Sequence, residues 1–117
     1  MSELKTHELK LSQRYFDDVA KRRKPFEIRY NDRDYQEGDN IIFYEVDDDG
    51  NRIENDDMSF RYIYAKIGFM LRDFVGLQDG YVAFALEDLE TVIRKPHVII
   101  HEHTFVRRED GAIELQL

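Results

Sequence analysis

The alternation of apolar and polar positions divides the chain into short strands and one clear helix. Leu9 and Leu11 fall on one side of a strand over His7–Leu11. From residue 13 the period lengthens: Tyr15, Phe16, Val19 and Ala20 recur at helical spacing, so residues 13–23 are predicted helical, with Ser12 as their cap. Lys21, Arg22, Arg23 and Lys24 then occupy the last turn, where cations complement the helix dipole, and Pro25 stops the helix. Alternation resumes over Phe26–Tyr30, with Phe26, Ile28 and Tyr30 on one face and Glu27 and Arg29 on the other.

After a polar loop at residues 31–34 and a turn at Gly38-Asp39, Asn40–Val46 is apolar on both faces, as in a central strand or a closed barrel. Asp47–Asn51 is a turn, and residues 52–58 form a solvated segment. Phe60–Leu71 is a long strand with a bulge or bend at Gly68. A turn around Gly76 and Asp79-Gly80 leads to a strand over Tyr81–Leu86. Leu86, Leu89, Val92 and Ile93 have the spacing of a short helix closed by Pro96. His97–Val106 and Ala112–Leu117 flank Asp110-Gly111, which predicts a terminal hairpin. Six or seven strands with one or two short helices describe an α+β chain, mainly β, built on a curled sheet or small barrel.

With 117 residues the expectation is one domain able to bury a real core. Cysteine is absent, which removes disulfides and thiolate metal sites and fits a cytoplasmic setting. No apolar run is long enough to span a membrane, and the first residues lack the apolar core of a signal peptide. Net charge is -8, unevenly spread: residues 1–30 hold eight Lys/Arg against five Asp/Glu, and residues 31–117 hold nine against twenty. An acidic chain of this kind is a poor non-specific polyanion binder, so no strong DNA binding is expected. A local anion site, if present, lies in the basic N-terminal quarter.

That quarter contains Lys24, Glu27 and Arg29 at a helix-to-strand junction. Lys24 and Arg29 suit an anion, and a carboxylate such as Glu27 suits the exocyclic amine of a base. Arg22 and Arg23 extend the patch toward flanking phosphates. A salt-bridged surface strand beside a helix end accounts for the same spacing. Among the aromatics, Tyr15 and Tyr30 have core spacing, whereas Tyr35 in a polar loop is the better candidate to stack a base. His97, His101 and His103 supply too few convergent ligands for a metal, and His97 stands about 13 Å from His101 along an extended strand. Asp47-x-Asp49-x-Asn51 resembles the start of a calcium loop but has Met58 where the closing glutamate belongs. Neither a metal nor a cofactor is expected.

The segments Glu27–Asp39 and Phe74–Val82, with Lys24, Glu27 and Arg29 in the spacing Gly-x-Lys-x-x-Glu-x-Arg, resemble the ASCH domain family, a branch of the PUA-like barrels. The likeness runs from His7 to Leu86 and is closest to small uncharacterised bacterial and phage proteins; Arg22 stands at the motif's glycine. The resemblance implies a PUA-like small β-barrel core over about residues 5–88 and a cleft lined by the motif residues, while the C-terminal hairpin extension over about residues 89–117 lies outside it. It also implies RNA or nucleoside-like ligands. One branch of that family hydrolyses N4-acetylcytidine with a lysine, a threonine and a glutamate. Lys24 matches the lysine, while Glu27 occupies the threonine's position, which favours a binder over an amidohydrolase. The first expectation is therefore RNA or modified-nucleoside binding at Lys24, Glu27 and Arg29. The second, of a different class, is an acidic protein, possibly phage-encoded, that meets a basic protein partner.

Overall fold

The computed structural model describes residues 3–95 and the backbone of 104–107 and 113–116. In chain order its elements are β1 (Thr6–Ser12), α1 (Gln13–Ala20), β2 (Phe26–Tyr30), β3 (Asn40–Val46), β4 (Phe60–Arg72), β5 (Tyr81–Arg94), β6 (Thr104–Arg107) and β7 (Ile113–Gln116). The first five strands form one curled sheet in the order β1-β3-β4-β5-β2, with β1 parallel to β3 and the other pairs antiparallel. β6 and β7 pair with each other as a separate antiparallel ribbon. This is the α+β, mainly-β small-barrel architecture, realised as a half-barrel. The expected histidine strand at His97, His101 and His103 lies outside the described residues. Among the described residues no helix is long and apolar enough to cross a membrane.

The concave side of the sheet is filled by Leu9 and Leu11 of β1, Ile41 and Phe43 of β3, Ile63, Ala65 and Ile67 of β4, and Val82, Phe84 and Leu86 of β5. Helix α1 closes one end with Phe16 and Val19, both fully buried. Arg61 fastens the helix: it donates to both carboxylate oxygens of buried Glu45, lies 2.9 Å from Asp17, and stacks 4.4 Å from the Phe16 ring centroid. The loop between β2 and β3 folds over the barrel, where Tyr35 packs between His7 and Phe84. Arg72 donates to the Tyr35 carbonyl, and Asp39 accepts from His7 Nε2 at 2.8 Å and from the backbone of Lys5 and Gln36.

Three expectations are corrected here. The helix ends at Ala20, so the four cations lie beyond it instead of in its last turn. The N–H groups of Arg22 and Arg23 return to the carbonyls of Val19 and Asp18, a Schellman closure, and Arg22 takes the left-handed φ of +63° that this closure demands. Glycine takes this backbone most readily, and arginine adopts it at a cost. Residues 86–93 are strand, not helix: β5 continues to Arg94 against β4. A bulge there sets two residues, Asp88 and Leu89, opposite one of β4, so Leu86 and Leu89 both reach the core three residues apart. A bulged strand thus mimics helical spacing. Finally, Tyr15 and Tyr30 are exposed, because α1 buries only a narrow stripe and β2 turns Phe26, Ile28 and Tyr30 to the outside. Tyr30 instead lies over Gly80, whose φ of +84° and lack of a side chain admit the ring: a Cβ there would stand 2.6 Å from it. The predicted bulge at Gly68 is present as a register shift between Ile67 and Met70.

Two outcomes follow from these contacts. Replacing Arg22 with glycine relieves the left-handed strain and is expected to raise stability by about 0.5–1 kcal/mol in a denaturant titration, after the entropy cost of glycine. The Asp39 carboxyl is held below its ordinary value by His7 and two backbone N–H groups, which outweigh the opposing effect of burial. Its stabilisation is complete above the ordinary aspartate value of 3.8 and is lost as pH falls through the lower folded value. Asp39→Ala should cost about 2–3 kcal/mol at pH 7, and thermal melts between pH 7 and 3 should show that gap narrowing below pH 4.

Candidate functional site

The junction between α1 and β2 is organised by Glu27. Strand pairing puts Glu27 opposite Phe84, and both residues are buried in the barrel. The strand's charged face is thus its inner face, and Glu27 is only 4% exposed. A carboxylate in that position needs cations, and two supply them. Lys24 Nζ donates to Glu27 Oε1, and Arg29 Nε donates to Oε2 at 2.8 Å. Lys24 and Arg29 turn toward Glu27 rather than standing apart across an open cleft. The trio carries one net positive charge, and the cations keep 23% and 25% of their side-chain surface in water.

Each cation is fixed by further contacts. Lys24 Nζ also donates to the Phe26 carbonyl at 3.1 Å, and it lies 5.5 Å from the Tyr15 ring centroid and 5.1 Å from that of Phe26. Arg29 reaches across the open seam of the half-barrel, donating to the Lys10 carbonyl of β1 at 2.8 Å and lying 5.9 Å from the Phe43 ring centroid. Arg33, four residues on, donates to the Glu8 carbonyl at 3.0 Å. β1 is parallel to β3 and the Lys5 carbonyl accepts from Asn40, so alternate carbonyls, those of Glu8 and Lys10, point away from β3 toward the seam. Two arginines therefore replace the strand-to-strand hydrogen bonds that a closed barrel would have there.

The structure brings together Lys24, Glu27 and Arg29 and leaves Arg22 and Arg23 beside them on the turn. Arg23 lies 3.5 Å from Asp18, and Arg22 approaches the Leu89 carbonyl at 3.5 Å. Two assignments change. Tyr35 is 1% exposed, and burial pushes its phenol up; it is a core ring and cannot stack a base. The rings at the site are Tyr15 and Phe26, 50% and 45% exposed. Both of Glu27's oxygens are engaged by protein cations, so it orients Lys24 and Arg29 instead of reading a base amine. Sequence reasoning missed Arg33; its only signal was the four-residue interval from Arg29, on the far side of a strand end. The Asp47 turn is self-contained, since Asp47 Oδ1 accepts from the backbone of Asp49 and Asn51.

Residues 6–86 match the family described as Domain of unknown function (DUF3850), a span that takes in β1 through the first half of β5 and every residue of the junction. A stretch of 41 residues is 46% identical to the "Uncharacterized 12.9 kDa protein in GpA 3'region" of Escherichia phage P2. That match covers 35% of this chain and 38% of the phage protein, just over a third of each. The half-barrel's arginine-bridged seam lies wholly within the matched residues, and the chain belongs to the DUF3850 family.

Proposed function

We propose that this protein binds RNA or a modified nucleoside, in the cytoplasm, at the junction of α1 and β2. The observation that carries the reading is the arrangement around Glu27. Its buried carboxylate holds an ammonium and a guanidinium in fixed, partly exposed positions, the ammonium beside the half-exposed rings of Tyr15 and Phe26. Lys24 and Arg29 each keep donor capacity for a phosphate or a base carbonyl, and the two rings offer flat faces for stacking. Arg22 and Arg23 lie where phosphates flanking the bound base would pass. The ASCH-like spacing of Lys24, Glu27 and Arg29 supports the same ligand class. Binding, and not amide hydrolysis, is the reading, because Glu27 stands where the hydrolytic branch carries threonine and is committed to two cations.

The test is a titration of the full chain with a ten-nucleotide single-stranded RNA, cytidine 5′-monophosphate and N4-acetylcytidine. Tyr15→Ala removes a ring that the core does not need and should weaken RNA binding about fivefold or more, with an unchanged melt. Lys24→Ala should weaken it about tenfold and flatten the salt dependence. Arg29→Lys, which keeps the charge but cannot bridge both Glu27 and the Lys10 carbonyl, should fall between wild type and Lys24→Ala. Equal affinity of the wild type and all three variants, or no binding of any of the three ligands, would overturn the proposal. Release of acetate from N4-acetylcytidine that disappears in Lys24→Ala would replace it with the hydrolase.

A further inference from the structure

The outer face of the sheet carries a second feature, none of whose lining residues belongs to the α1–β2 junction. Register pairs Tyr64 with Glu90 and Lys66 with Glu87, so the β5 bulge lies between these two pairs. Its extra residue, Asp88, has φ +53°. The bulge lets Leu89 pack on the core while Asp88 and Glu90 stay on the solvent side with Tyr64. With Ile42, Asn40 and Lys66 they line a groove of about 460 Å³. Lys66 Nζ donates to Asn40 Oδ1 at 2.9 Å, so the groove's own cation is tied to a neutral amide. Among the described residues neither Asp88 nor Glu90 lies within ion-pair distance of a cation.

We propose that this groove is a docking surface for an arginine-bearing segment of a basic protein. The chemistry is that of a guanidinium: two carboxylates to accept its forked donors, a 40%-exposed tyrosine ring to cover its flat face, and Ile42 for the methylene stem. Charge complementarity selects the partner. Residues 31–117, which supply β3, β4 and β5 of this face, carry nine cations against twenty anions. That excess draws in a basic protein and repels a nucleic acid. The bulge gives the site its shape, because it turns a residue that would continue the strand's alternation into a second carboxylate beside Glu90.

The test uses the full chain and a hexa-arginine peptide, with binding followed by fluorescence anisotropy at about 150 mM salt, where distant surface charges are screened. Asp88→Asn/Glu90→Gln should weaken binding about tenfold; asparagine tolerates the left-handed backbone, so the fold is kept. Asp49→Asn/Asp56→Asn removes the same charge from two exposed loops and should change affinity by less than about twofold. Tyr64→Leu, with no change in charge, should weaken binding about threefold to fivefold. Equal losses in the two double variants would mean general acidity and overturn the proposal, as would a wild type that does not bind the peptide or a Tyr64→Leu protein that binds it unchanged.

Discussion

A sheet that curls but does not close leaves two edges facing each other, and here those edges are joined by side chains. Arg29 and Arg33 reach from β2 and the loop after it to the carbonyls of Lys10 and Glu8 on β1. Exposed strand edges are a standing liability for any β protein, since they can pair with another chain. Guanidinium bridges blunt this one without completing the barrel. They work only if Arg29 is held, and it is held by Glu27, which must be buried to reach it. The inward charged face of β2 follows from that requirement: Glu27 and Arg29 take the inside, and Phe26, Ile28 and Tyr30 are left outside.

The same logic recurs elsewhere in the barrel. Three buried carboxylates, Glu27, Asp39 and Glu45, each meet a specific partner: Lys24 with Arg29, His7, and Arg61. Among the described residues no buried side-chain nitrogen or oxygen lacks a hydrogen bond. Polar groups inside a small core cost stability unless they are fully satisfied, and when satisfied they fix geometry more tightly than apolar packing does. Asp39 fixes the loop that carries Tyr35, Glu45 fixes α1 through Arg61, and Glu27 fixes the cations at the junction. The proposed ligand site is the one of these three whose carboxylate holds two cations, one of them beside the half-exposed rings of Tyr15 and Phe26.

Where local pattern and tertiary demand agree, the sequence is a good guide. Ser12 caps α1 through the Arg14 N–H, Asn40–Val46 is an inner strand, and the Asp47 turn and the Gly68 bulge are where they were expected. The spacing of Lys24, Glu27 and Arg29 was legible, but the purpose of Glu27 was not. Alternation says that two residues share a face and does not say which face is buried. Tyr35 failed for a related reason. Its neighbours in sequence are polar, yet the loop is drawn over the core by Asp39, Glu37 and Arg72, contacts 32 to 37 residues away in the chain that no local pattern carries.

One inserted residue in β5 shifts the strand's parity, so that Leu86 and Leu89 both face the core at an interval that reads as helical. The shift also places an aspartate in the left-handed region, a conformation that a regular strand would not require. If packing Leu89 were the only end, deleting the insertion and moving the leucine by one position would reach it with less strain. What the strained residue adds is a carboxylate beside Glu90 and Tyr64 on the opposite face. The anomaly that hides the strand from its own sequence is therefore also the feature that shapes the groove.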